Sequence, residues 1–185
     1  GYTVYYTTDG STPTTSSTKY TKPFQMENGE VKAFAVLNGM EGAMQSDHFG
    51  WIKQDWKLIS ASSETEEHAA TLAFDEQPLT YWLSKPGNRQ SIAIDLGTPR
   101  ELKGFAYTPQ TVNAEGMMEK GVFYVSADGK SWKKVEDFEF GNLINDPTKR
   151  YYYLKDKVNA RYVRIETTEV AAGNKSVAAA EVDLF

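Results

Sequence analysis

The 185-residue chain is built from short runs in which apolar and polar side chains alternate. In "SIAIDLG", Ile92, Ile94 and Leu96 fall on one face of a strand, and in "RYVRIETT" Val163 and Ile165 do the same. No run shows the longer apolar period of an amphipathic helix, and Asp-Gly or Asn-Gly pairs, which favour tight turns, end several of the runs. The pattern therefore predicts an all-β protein with few, short helices, arranged as an antiparallel β-sandwich.

The amino-acid composition argues against several classes of function. It contains no cysteine and only two histidines, which argues against disulfides, a thiolate metal site and a zinc enzyme. The net charge of −5 and the lack of a basic stripe argue against nucleic-acid binding. No run of about 18 apolar residues occurs, so no membrane insertion is predicted.

The chain is predicted to hold two modules, because its composition changes near residue 50. Residues 1–50 are rich in Thr, Ser and Gly, and their short strands run into Asp9-Gly10 and Asn38-Gly39. Residues 51–55 are interpreted as a linker, and residues 56–185 as the sandwich. A strand pattern is already under way at Gly1. We therefore expect a piece of a longer exported protein whose signal lies upstream.

The stretch "AFDEQPLTYW" places Asp75 beside Glu76, just before a proline and a threonine. Two neighbouring acids are compatible with a glycosidase, which uses a carboxylate pair, but nothing around them marks an acid and a nucleophile. They are also compatible with a cation loop, since calcium takes six to eight oxygens, many of them carbonyls. The carboxylate of Asp75, the hydroxyl of Thr80 and the turn at Pro78 favour calcium.

Seven ordered segments carry a family resemblance: "WKLISASSE", "LAFDEQPLTYWLS", "SIAIDLG", "KGFAYTPQ", "FYVSADGKSW", "ARYVRIE" and "AAAEVDLF". Together they resemble the coagulation factor 5/8 type C (discoidin) domain, which in bacterial glycan-degrading enzymes is the family 32 carbohydrate-binding module. The resemblance implies a galactose-binding-domain-like jelly roll over residues 56–185 and a structural calcium ion. The implied calcium ligands are the side chains of Asp75, Thr80 and Glu181 and the carbonyls of Leu72, Gln77 and Ala180. Glu76 stands where the family usually has glycine, so a positive φ would strain the backbone there.

The same resemblance implies a sugar site on the loops at one end of the sandwich. Galactose-binding members often have an arginine after the loop proline and a histidine after the loop tryptophan. This chain instead reads Pro109-Gln110 and Trp82-Leu83, which weakens the case for galactose. Trp82 is expected in the core, and one ring of the Tyr151–Tyr153 run is expected to be exposed. The candidate sugar contacts are Glu64, His68, Lys85, Asn88, Gln110, Asn113 and Asn174.

Residues 1–50 resemble a second family through "YYTTDGSTPTTSSTKYTKPF" and "VKAFAVLNG". They are similar to the immunoglobulin-like module at the C-terminus of chitobiases and β-hexosaminidases, without its first strands, so an incomplete module is expected. The two resemblances imply a non-catalytic accessory region that tethers an exported bacterial glycoside hydrolase to glycans containing galactose or N-acetylhexosamine. Its other partner would be an upstream catalytic domain. The alternative is a structural spacer or protein-interaction module that binds no sugar.

Overall fold

The computed structural model describes all residues, 1–185. The chain forms two compact units, Gly1–Ile52 and Lys53–Leu184. Apart from two short 3₁₀ helices, Ala70–Phe74 and Ala171–Gly173, all regular elements are strands, which confirms the all-β prediction. Neither helix has the length and apolar character that crossing a bilayer requires.

The smaller unit is a single antiparallel sheet. Its strands are β1 (Thr3–Thr7), β2 (Thr18–Lys19), β3 (Gly29–Leu37), β4 (Met40–Glu41) and β5 (Gln45–Phe49). β1 lies between β2 and β3, and both β4 and β5 pair with β3. Asn38 and Gly39 join β3 to β4, both with positive φ, as the predicted turn requires.

Few side chains of the smaller unit are buried. Within residues 1–52 only Pro13 and Phe34 are buried, and the Phe34 ring stacks on Tyr5 with centroids 5.7 Å apart. On the other face Tyr6 stacks on Phe24, which remains 42% exposed. No second sheet faces this one within residues 1–52.

The larger unit contains eight strands. They are β6 (Lys57–Ala61), β7 (Trp82–Leu83), β8 (Gln90–Thr108), β9 (Met118–Ser126), β10 (Lys133–Glu139), β11 (Arg150–Val170), β12 (Ala178–Ala179) and β13 (Glu181–Leu184). The main sheet runs β10-β9-β11-β8-β13, β6 also pairs with β8, and β7 and β12 form a separate pair. All pairs are antiparallel.

Two long strands, β8 and β11, bend together and bring the sheet back over itself. Gly97 has φ +81°, and the register of β11 against β8 shifts between Tyr153 and Val158. The halves of β8 on either side of the bend pair with β6 and with β13. Across the core, Phe105 of β8 stacks on Phe123 of β9 at 5.3 Å, which shows that the two layers face each other. This is the predicted sandwich, and its bend defines one of its two ends.

The core follows the predicted alternation. Ile92, Ile94, Leu96, Val163 and Ile165 are each 1% exposed. Full burial of five such side chains contributes roughly 1.5–3 kcal/mol each before entropy is counted. The alternating pattern therefore places the strands correctly, and the loops connecting them at the end opposite the bend become the candidate site.

Candidate functional site

Strand register brings four loops to the end of the sandwich opposite the bend. β6 ends and β8 begins there, since Ala61 pairs with Ile92. β9 begins where β11 ends, and β13 begins where β8 ends, since Glu181 pairs with Thr108. The connecting loops at this end are residues 62–69, 84–89, 109–117 and 171–177. We call this the four-loop end.

Backbone hydrogen bonds link these loops in series. Thr65 N donates to Leu83 O at 3.0 Å, and Ser84 N donates to Val177 O at 2.8 Å. Ala178 N in turn donates to Gly116 O at 2.8 Å. A Cβ on Gly116 would lie 2.6 Å from the Ala178 nitrogen, so this close approach requires glycine. The four loops therefore form one continuous surface, as a loop-borne binding site requires.

In the first loop, Glu64 and His68 both make contacts within the protein. Glu64 Oε2 accepts a bond from Ala70 N at 2.8 Å, at the start of the short helix. The His68 ring stacks on Tyr81 with centroids 4.0 Å apart and remains partly exposed. Glu64 is thus partly engaged, while His68 remains partly accessible to a ligand.

In the third loop, polar side chains form hydrogen bonds within the loop itself. Gln110 is only 1% exposed, and its amide donates to Asn113 Oδ1 and to Glu115 O. Asn113 N donates back to Gln110 Oε1 at 3.2 Å. As placed, Gln110 shapes this loop and offers a ligand no accessible polar atom.

The second and fourth loops carry the other three candidates. Lys85 and Asn88 are exposed, and Asn174 is partly exposed with its Oδ1 accepting from Ser176 N. Gly87 N donates to Lys175 O at 3.0 Å, which holds these two loops together. The cavity between them measures only about 70 Å³, room for about two waters. A ligand would therefore rest on this surface without entering a deep pocket.

Aromatic residues do not form an exposed platform at the four-loop end. Trp82 is fully buried, as predicted, and its Nε1 donates to Ser63 O at 2.9 Å. Tyr153, 56% exposed, lies on β11 opposite Gly104, away from these loops. A larger cavity, about 490 Å³, lies elsewhere, at the bend end, where Arg161 is already paired with Asp95 and Ser131 with Asp128.

The loop "DEQPLT" folds as an oxygen-rich turn. Thr80 Oγ1 lies 2.8 Å from Asp75 Oδ2 and 2.9 Å from Gln77 O, so three of the predicted calcium ligands already converge. Gln77 N donates to Asp75 Oδ1 at 3.0 Å. Glu76 has φ +63°, the left-handed conformation that the family's glycine would adopt without strain.

Glu181 lies close to this turn. Burial raises the pKa of Glu181, and the negative charge of Asp75 raises it further. The Lys53 ammonium beside Glu181 opposes this rise. Glu181 Oε1 is buried without a hydrogen-bond partner, although a buried carboxylate oxygen normally has one. A cation bound by Asp75, Thr80 and the Gln77 carbonyl would give that oxygen a partner.

The donor set fits calcium rather than a transition metal. No group of three or more His, Asp or Glu side chains is placed to hold a metal, so an ion here would depend on two carboxylates, a hydroxyl and carbonyls. Hard oxygen donors of this kind are what calcium prefers. The structure places Leu72 in the Ala70–Phe74 helix and Ala180 directly before β13, both beside these residues in sequence.

Sequence analysis missed Lys53, which it placed in the linker. Lys53 is 8% exposed, lies over the Trp56 ring, and donates to Glu181 Oε2 and, at 2.7 Å, to Asp183 Oδ1. Lys149 donates to the other oxygen of Asp183 at 2.7 Å. Burial raises the pKa of Asp183, but the two ammonium groups outweigh it and leave the pKa below its usual value. Nothing in "WIKQDW" indicates this contact, because its partners lie 128 and 130 residues away.

Solved structures resemble the larger unit. A family 32 carbohydrate-binding module from Clostridium perfringens, solved with GalNAc-β-1,3-galactose, is 24% identical with a TM-score of 0.64, over 72% of this chain and 96% of that one. The family 32 module of C. perfringens NanJ, solved with galactose, is 20% identical with a TM-score of 0.63, over 71% and 94%. The C-terminal domain of a chitobiase from Bacteroides fragilis is 22% identical with a TM-score of 0.63, over 72% and 94%. At these identities the likeness shows the jelly-roll fold.

Family comparisons cover both units. No curated protein matches the chain. The chitobiase/β-hexosaminidase C-terminal domain matches residues 1–46. The F5/8 type C domain matches residues 58–182, about two thirds of the chain. The protein therefore belongs to the F5/8 type C domain family, with a chitobiase-type C-terminal module preceding that domain.

Proposed function

We propose that this chain is a non-catalytic, carbohydrate-binding accessory region of an exported bacterial glycoside hydrolase of the chitobiase or hexosaminidase type. The observation that carries the proposal is the four-loop end, where four loops form one surface bearing Lys85, Asn88 and the partly exposed His68. The sugar-bound family 32 modules share the fold of the larger unit, which supports a glycan as the ligand. The accessory region would hold its upstream catalytic domain near that glycan.

Binding at this surface is expected to be weak. The cavity is shallow, and each hydroxyl contact replaces a hydrogen bond to water, so it contributes about 1 kcal/mol net. We expect a Kd on the order of 0.1–1 mM for a mono- or disaccharide, equivalent to about 4–5 kcal/mol. Tethering makes such affinity useful, because the local concentration of glycan is high once the enzyme is bound.

We further propose that a structural calcium ion completes the larger unit. Asp75, Thr80, Glu181 and the Gln77 carbonyl would hold it, with the carbonyls of Leu72 and Ala180 nearby. The ion would compensate the charges of the buried Glu181 and the partly buried Asp75, and it would fix the turn 75–80. The convergence of three of these oxygens and the unpartnered Glu181 Oε1 support this assignment.

A spacer that binds no sugar is the second candidate function. Gln110 and Asn113 bond each other, the exposed loops lack an aromatic platform, and the cavity holds only about 70 Å³. These observations favour a unit whose loops are complete without a ligand. The two functions differ in one measurable property, saturable glycan binding.

A titration of isotope-labelled protein followed by amide chemical shifts tests the proposal. Galactose, N-acetylgalactosamine, N-acetylglucosamine and fucose are the first ligands, with a glycan array for longer ones. We expect saturable shifts confined to residues 62–69, 84–89, 109–117 and 171–177. Asn88→Ala should weaken binding severalfold, whereas Asn159→Ala, an exposed asparagine at the bend end, should leave it unchanged. No shift with any sugar at tens of millimolar would favour the spacer.

A further inference from the structure

Lys53 forms the centre of a buried ionic cluster in the larger unit. Its ammonium lies between Glu181 and Asp183, and Asp183 also pairs with Lys149. The Lys53 and Glu181 side chains are only 5% and 11% exposed, so salt screens their interaction little. A buried cluster of this kind is costly to desolvate, and its removal leaves unpaired charges. Its position beside the predicted calcium turn therefore needs an explanation.

The two carboxylate oxygens of Glu181 have different surroundings. Oε2 accepts the bond from Lys53, while Oε1 is buried without a partner. A calcium ion at Oε1 and the ammonium at Oε2 would be bound by the same carboxylate. Two positive charges so close together repel each other strongly in a poorly solvated site. The lysine therefore opposes the binding of calcium while it replaces part of the charge that calcium would supply.

We propose that Lys53 is an internal counter-cation that lets the larger unit fold without metal and lowers its affinity for calcium. The inference rests on the calcium site of the proposed function. Oxygen-based calcium sites bind more tightly as their net negative charge increases. With Lys53 the cluster of Asp75, Glu181, Asp183, Lys53 and Lys149 carries one net negative charge; without Lys53 it carries two. Calcium would then add stability to a unit that is already folded.

Direct calcium titration by calorimetry, on the full chain freed of metal by a chelator, tests the inference. Lys53→Met should bind calcium about tenfold more tightly than the wild type, because one nearby positive charge is removed. Lys149→Met is the matched control: it removes the same charge and the same Asp183 partner but makes no bond to Glu181. Its affinity should change less than that of Lys53→Met. Lys53→Arg keeps the charge and should resemble the wild type.

Melting curves with calcium and with chelator provide a second readout. In chelator Lys53→Met should melt well below the wild type, since Glu181 and Asp183 lose their shared cation, and calcium should recover most of the loss. If Lys53→Met does not fold without metal, the double variant Lys53→Met/Asp183→Asn removes one charge of each sign. It should fold in chelator and bind calcium with nearly wild-type affinity.

The outcomes separate this inference from the calcium site itself. Asp75→Asn should abolish calcium binding. If Asp75→Asn abolishes binding but Lys53→Met binds calcium no more tightly than the wild type, the proposed role of Lys53 is wrong. The calcium site itself remains supported. If neither the wild type nor Lys53→Met binds calcium, or if Asp75→Asn binds normally, both the site and the inference are wrong. A wild type without a calcium response beside a responsive Lys53→Met would support the counter-cation directly.

Discussion

Glu76 shows how a single residue strains an otherwise regular turn. Its φ of +63° is a conformation that costs a non-glycine residue roughly 1–2 kcal/mol. Glycine removes that cost but gains freedom in the unfolded chain, which offsets part of it. We expect Glu76→Gly to stabilise the larger unit by about 0.5–1 kcal/mol. Chemical denaturation in chelator measures the change without a contribution from calcium.

Glu67→Gly is the matched control for that substitution. Glu67 is exposed in a neighbouring loop and does not have a positive φ. The same change of charge and size should there destabilise by about 0.5 kcal/mol or leave stability unchanged, since glycine only adds unfolded-state entropy. Equal effects at both positions would show that backbone strain at Glu76 is not the cause.

At the scale of one element, Asp128 holds the hairpin between β9 and β10. Its Oδ1 accepts from Ser131 N at 2.7 Å, Lys130 N at 2.8 Å and Ser126 Oγ at 2.9 Å. These bonds hold the pKa of Asp128 well below its usual value. The bonds donated by the backbone of Ser131 and Lys130 have the largest effect. A lowered native pKa means that the ionised form stabilises the fold at neutral pH, and that this contribution is lost as the pH falls towards the native pKa.

Asp128→Asn should therefore lower the melting temperature at pH 7, and the difference from the wild type should shrink as the pH falls below about 4. Paired thermal melts at pH 7 and at successively lower pH values measure it. Asp156→Asn, an exposed aspartate on β11, serves as the control and should show little difference at any pH. A difference between wild type and Asp128→Asn that grew on acidification would contradict the assignment.

At the scale of the whole molecule, the two units have very different cores. The smaller unit buries two residues, whereas the larger unit buries several side chains on each of its long strands β8, β9 and β11. We expect scanning calorimetry to show two transitions, the smaller unit melting first. Calcium at about a hundredfold excess over its Kd should stabilise only the second transition, by about 2.7 kcal/mol. A calcium shift of the first transition would contradict the proposed ion position.

The sequence by itself determined the elements and the fold. Alternation placed Ile92, Ile94 and Leu96 in the core, and the ordered motifs identified the domain family. The turn at Asn38 followed from the Asn-Gly pair, and the expectation of strain at Glu76 followed from the glycine that the resembled family usually has there. These features are local, because side-chain period and turn chemistry depend on residues a few positions apart.

Only the tertiary structure decided how the side chains of the site are used. Gln110 was a candidate sugar contact by position, yet it is buried and bonded to its own loop. Lys53 was placed in a linker, yet it neutralises Glu181 and Asp183 across more than 120 residues of chain. Alternation and motif spacing carry no information about such pairs. Burial and ionic contacts are set by which strands the bend in β8 and β11 brings together, and that depends on packing of the whole unit.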